Sequence, residues 1–123
     1  ESEDLNALSV IYNNIAIVYK NNGQLDSAKV AFLEAAKLAE VLKNEMGIFQ
    51  TYNNIGFMYL TENQLDTAEY YMLSALELAK NSDIESPFIY FNLGRLYLEK
   101  RDLLKAEENT KKALKISAFS ACE

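Results

Sequence analysis

One stretch of this chain occurs three times in variant form, and its spacing limits the folds available. The copies are Tyr12-Asn13-Asn14-Ile15-Ala16-Ile17-Val18-Tyr19, Tyr52-Asn53-Asn54-Ile55-Gly56-Phe57-Met58-Tyr59 and Tyr90-Phe91-Asn92-Leu93-Gly94-Arg95-Leu96-Tyr97, with starts 40 and then 38 residues apart. A period in this range marks supersecondary units that bury their apolar faces only by stacking on one another. Sixteen residues after the first tyrosine of each copy stands an alanine, Ala28, Ala68 or Ala106, that opens a second apolar run. In the first unit that run is Leu25, Ala28, Phe32, Ala35, Leu38, Ala39 and Leu42, which recurs at helical spacing. The unit is therefore two helices, and the expected fold is an all-α solenoid of three helix-turn-helix units, six helices in all, over about 5–44, 45–82 and 83–118.

The boundaries follow from local chemistry. A first helix is expected from about Leu5, capped by Asp4, to Asn21, where Asn22-Gly23 supplies a left-handed turn. Its mate runs from Leu25 to about Leu42, and Lys43-Asn44-Glu45-Met46-Gly47 reads as a lengthened junction before a helix over 48–61. Glu62-Asn63-Gln64 is the next turn, Leu65 to about Lys80 the next helix, and Asn81-Ser82-Asp83 a break. Ser86-Pro87 opens the fifth helix, because serine caps well and proline is tolerated at a first helical position. Lys100-Arg101-Asp102 turns the chain into a last helix ending near Ser117. Ala16, Gly56 and Gly94 share one place in the first helices, where only a small residue lets the paired helix approach.

These residues carry a resemblance. The pattern W-x2-L-G-x2-Y, then A-x3-F, is that of the tetratricopeptide repeat. The second unit matches it with Tyr52, Ile55, Gly56, Tyr59, Ala68 and Met72; the first with Tyr12, Ile15, Ala16, Tyr19, Ala28 and Phe32; the third with Tyr90, Leu93, Gly94, Tyr97, Ala106 and Thr110. The departures are tyrosine for tryptophan, Thr110 in an aromatic slot, no closing proline and a period longer than the usual thirty-four. In its long second helices the chain resembles the repeats of bacterial peptide-sensing regulators, kinesin light chains and cell-polarity scaffolds. The resemblance implies a right-handed superhelical solenoid that acts as a protein-protein interaction module.

Composition supports this and excludes several function classes. The 123 residues are 50% apolar, enough for one continuous helix-pair core, and the whole is read as a single domain cut from a longer chain. Histidine is absent, which removes the commonest general base and metal ligand. No phosphate-binding loop, dinucleotide fingerprint, H-E-x-x-H or C-x-x-C is present, so no enzyme, no cofactor and no metal site are expected. A formal charge of −6 argues against nucleic acid, although residues 95–123 are net basic through Arg95, Lys100, Arg101, Lys105, Lys111, Lys112 and Lys115. No apolar run reaches membrane-spanning length, the start is acidic, and the expectation is a cytoplasmic chain without membrane contact. The single cysteine, Cys122, is expected to pack in the tail.

The first helices carry a second stripe that the core pattern leaves unexplained. In the first unit it includes Asn13, Asn14, Ile17 and Lys20; in the second Gln50, Asn53, Asn54 and Phe57; in the third Phe88, Phe91, Asn92 and Arg95. Asparagine is about 0.5–0.7 kcal/mol worse than alanine in a helix, yet five occur here. In tetratricopeptide arrays this stripe lines a concave groove, so these twelve residues are the candidate peptide-binding site. An amide both donates and accepts, and Asn14, Asn54 and Asn92 at equivalent places suit the backbone of an extended peptide. The competing reading is that the amides tie neighbouring first helices together. The family's chaperone-tail clamp of Lys, Asn, Asn, Lys and Arg is not matched, since Asn13, Ile17, Asn54, Phe88 and Asn92 stand in those places. The expected function is capture of an extended, partly apolar peptide as the recognition part of a larger regulator or scaffold. The alternative is a structural array that stacks on adjoining repeats or a second copy, with weak self-association through an uncapped C-terminal unit.

Overall fold

The computed structural model describes residues 2–122, with side chains from Asp4 to Phe119. Six helices follow in order: α1 (Ser2–Asn21), α2 (Leu25–Val41), α3 (Glu45–Thr61), α4 (Leu65–Asn81), α5 (Pro87–Glu99) and α6 (Leu103–Cys122). They pair as hairpins α1/α2, α3/α4 and α5/α6, which stack in chain order through α2 on α3 and α4 on α5. The all-α repeat solenoid expected from the spacing is the fold observed. Cys122, expected to pack, lies outside the residues whose side chains are described.

Several boundaries differ from expectation. No lengthened junction separates the first two hairpins: α3 begins at Glu45, because Asn44 caps it by accepting from the Gly47 amide at 3.1 Å. The extra residues of the long period therefore sit largely in helix. Asp4 lies inside α1 instead of capping it, and α6 continues beyond Ser117 to Cys122. The Ser86-Pro87 start holds, with Ser86 Oγ accepting from the Phe88 amide at 3.3 Å.

All five turns share one backbone device. The amide two residues past each helix cap donates to a carbonyl five residues earlier: Gln24 to Tyr19, Asn44 to Ala39, Gln64 to Tyr59, Ile84 to Ala79 and Asp102 to Tyr97, at 2.8–2.9 Å. The preceding residue is left-handed in each case, with Gly23 at φ +78° and Lys43, Asn63, Asp83 and Arg101 at +53° to +63°. This closure satisfies helix-end carbonyls that otherwise lack partners.

Within each hairpin the small residues have the expected cause. A methyl group on Gly56 would stand 2.8 Å from Met72 Cγ and 3.3 Å from the Ala68 carbonyl oxygen, and one on Gly94 2.6 Å from Thr110 Oγ1. Between hairpins the core forms two clusters. Ala28, Phe32 and Ala36 of α2 close on Ile55 and Met58 of α3, and Met72, Ala75 and Ala79 of α4 close on Ile89, Leu93 and Leu96 of α5. Tyr71 wedges the first joint, stacked on Tyr59 at 5.8 Å and edge-on to Tyr52 at 5.4 Å. The core thus runs through the hairpin seams and the joints alike, and the first helices keep one side open.

Candidate functional site

The open side of the first helices forms a hollow of about 630 Å³. Three of its residues come from α1 (Asn13, Ile17, Lys20), and α3 forms its floor with Gln50, Asn53, Asn54 and Phe57. Phe88 and Asn92 of α5 close the far wall. Nine of the twelve stripe residues therefore share one cavity. The α-helical step brings this about, since positions three and four apart return to one face.

The remaining three lie elsewhere. Asn14 is exposed beside Ile11, Ile15 and Val18, on the side of α1 away from α3. Phe91 and Arg95 line a separate hollow against α6. Arg95 nevertheless reaches back, with its guanidinium carbon 5.2 Å from the centre of the Phe57 ring, while Lys20 Nζ lies 5.5 Å from that centre. The Phe57 ring is thus held between a base from α1 and a base from α5.

Five lining residues were missed: Met46, Phe49, Ile84, Glu85 and Ser86. Met46 and Phe49 extend the Gln50, Asn53, Phe57 stripe by one turn, a signal visible once Gly47 is taken as helical. Ile84, Glu85 and Ser86 come from the α4–α5 connection, and no helical periodicity announces them. Glu85 is the sole acid among the lining residues.

The amides divide into two kinds. Asn92 Nδ2 donates to Asn53 Oδ1 at 2.8 Å, tying α5 to α3. The same two places one hairpin earlier are Asn54 and Asn13, and there the link is open: Asn13 Oδ1 is buried without a hydrogen-bond partner among the described residues. A buried acceptor left unpaired costs about 1–3 kcal/mol. The hollow therefore offers the amides of Gln50 and Asn54, the exposed Phe88 ring beside the half-buried Phe57, and the Lys20 ammonium, with the unpaired Asn13 oxygen buried in its wall.

The joints beside the hollow are held by ion pairs. Lys29 on α2 meets Glu62 after α3 at 2.8 Å. Lys100 after α5 meets Glu69 at 2.7 Å and Asp66 at 2.9 Å on α4, and the Tyr97 hydroxyl donates to Glu69 at 2.7 Å. Burial alone would raise the Glu69 carboxyl, but hydrogen bonds from Lys100 and Tyr97 outweigh it and hold its pKa below the ordinary value. Burial, then the bond to Glu69, pushes the Tyr97 hydroxyl up to about 12. Its hydrogen bonds to Glu69 and Asp66 raise the Lys100 ammonium.

The tetratricopeptide repeat family model matches residues 7–81 and, overlapping, 48–118. The chain belongs to the tetratricopeptide repeat family. No curated protein matches it at a significant level. Among solved structures this tetratricopeptide repeat chain is similar to BtubC (BKLC) from P. vanneervenii, at 26% identity and a TM-score of 0.80 over 92% of its own length. It spans about half of that protein, 48% of the chain. Membership implies a protein-protein interaction or scaffold role. Among the described residues no helix is long and apolar enough to cross a membrane.

Proposed function

We propose that the hollow captures an extended peptide segment, and that this chain is the recognition part of a larger regulator or scaffold. The carrying observation is that nine residues of the stripe, Asn13 and Asn54 among them, line one cavity, with Asn13 Oδ1 lacking a hydrogen-bond partner at its wall. A peptide main chain supplies both groups to Asn54, and an amide N–H to Asn13 Oδ1 once that side chain turns into the hollow, whatever the peptide's sequence. Ile17, Phe57 and Phe88 then take an apolar side chain. The Lys20 ammonium favours an acidic residue beside it.

The test is a peptide selected by display on the parent chain, then titrated calorimetrically against Asn13→Ala/Asn54→Ala. Each amide hydrogen bond to the peptide is worth about 0.5–1.5 kcal/mol, so removing the pair should weaken binding roughly tenfold to a hundredfold. Melting should not fall, because neither amide closes a helix-to-helix bond and alanine is the better helix former. Unchanged affinity in this variant would sink the proposal.

A further inference from the structure

The charges of the hollow are segregated along its length. The Asn53–Asn92 bond fixes α5 beside α3, and further along both helices Arg95 meets Phe57, so the two run parallel. Carried back by the same steps, this register sets Glu85, just before α5, at the Met46 end of α3. Lys20 and Arg95 stand at the other end, around the Phe57 ring. Phe57 and Met46 lie about 16 Å apart along the helix. Lys20 and Glu85 are the only charged residues among the described ones that line the cavity. The bases at the joints, Lys29 and Lys100, are spent on carboxylates of the chain itself. Lys20, Arg95 and Glu85 make no ion pair among the described residues.

We infer that the ligand of the hollow is a peptide segment of mixed charge, a specificity that rests on the peptide capture proposed above. An acidic residue lies at the Lys20 and Arg95 end, a basic residue at the Glu85 end, and an apolar side chain between them against the exposed Phe88 ring. An extended chain rises about 3.3 Å per residue, so the acid and the base stand about four to five residues apart. The amides of Gln50 and Asn54 hold a main chain of any sequence, and the charges then decide which segment enters and which way it lies. Rejection matters as much as attraction. Glu85 repels a second acid and Lys20 repels a base beside it, so uniformly acidic and uniformly basic segments are both disfavoured.

The probes are synthetic peptides from a display selection on the parent chain, each made also with its acid and base exchanged. The selected sequences should carry an acid and a base about four to five residues apart on either side of an apolar residue. Exchanging the two charges should weaken binding to the parent about tenfold in calorimetric titration. Lys20→Glu/Glu85→Lys should reverse that order, and added salt should narrow the difference in both proteins. A purely structural part for these side chains would weaken both peptides alike and leave their order unchanged. Circular dichroism melting checks that the variant is folded. If it is not, Lys20→Gln and Glu85→Gln replace it: the first should make the peptide's acid and the corresponding amide bind equally, the second its base and a glutamine. Selected peptides without the charge pattern, or a preference that neither reverses nor vanishes, overturn the mixed-charge ligand. Weaker binding by Asn13→Ala/Asn54→Ala would in that case still uphold the hollow as the peptide site. Full affinity in that amide variant, or a selection that yields no binder, overturns the peptide site and its charge specificity together.

Discussion

Two asparagines at equivalent places, Asn54 and Asn92, have different tasks, and substitution separates them. Asn92→Ala removes the 2.8 Å bond to Asn53 and leaves Asn53 Oδ1 unpaired between α3 and α5. That bond is worth about 0.5–1.5 kcal/mol and the helix propensity returned is about 0.5–0.7, so net stability should fall by up to about 1 kcal/mol. Asn54→Ala breaks no such bond and should melt at or above the parent temperature. Differential scanning calorimetry on the two variants checks this, and equal melting would show that the Asn53–Asn92 bond holds nothing. The stripe itself was legible in the sequence, because asparagine at helical spacing is costly enough to need a cause. Which amide ties and which stays open was not. That depends on the gap between first helices and on side-chain rotamers, neither of which has a sequence period. Asn14 shows the same limit: it stands forty residues before Asn54 at the same place in its repeat, but a groove needs a first helix on each side.

The turns show the same competition at the level of elements. Gly23 announced its left-handed turn, since glycine alone adopts positive φ without a steric cost. Lys43 and Arg101 gave no such signal, yet they adopt φ +56° and +63° because their turns make the same pair of backbone bonds. Here the closure of the hairpin overrides local preference. Arg101 is exposed and no side-chain bond is seen from it, so Arg101→Gly should relieve strain at no other cost. The expected gain is about 0.5–1 kcal/mol, reduced somewhat by the greater freedom of glycine in the unfolded chain. Thermal melting should rise by roughly 2–6 °C. A fall would mean that the Arg101 side chain makes an interaction absent from the structure. The junction at 43–47 failed for a related reason: Gly47 looks like a helix breaker, and the Asn44 cap is a feature of three-dimensional closure.

Across the whole molecule, hairpin order is written in charge. Lys29 on α2 and Glu69 on α4 occupy the same place, as do Glu62 and Lys100 in the turns that face them, so the two joints carry the same ion pair with opposite polarity. Stacking α2 where α4 belongs would set Lys29 against Lys100, and like charges at a half-buried contact disfavour that arrangement. The repeat was legible from its tyrosines and alanines. This polarity was not, because it appears only when second helices are set against the turns they meet. Lys100→Glu should gather three carboxylates at one joint and cost about 1 kcal/mol or more, and adding Glu69→Lys should recover most of it by giving the second joint the polarity of the first. The same site contributes to the alkaline limit, beside Tyr52, whose hydrogen bond to Glu40 also raises its hydroxyl. Tyr97, raised from 10.0 to about 12, and Lys100, raised above 10.5, keep protons in the folded chain that the unfolded chain releases. Their contribution is complete below pH 10.0 and is lost as pH climbs toward 12. Melting followed from pH 9 upward should therefore fall less steeply in Tyr97→Phe than in the parent, about 2 °C or more apart by pH 11. Parallel curves would place the alkaline loss elsewhere, and failure of Glu69→Lys to rescue Lys100→Glu would show that the polarity of this pair does not specify the joint.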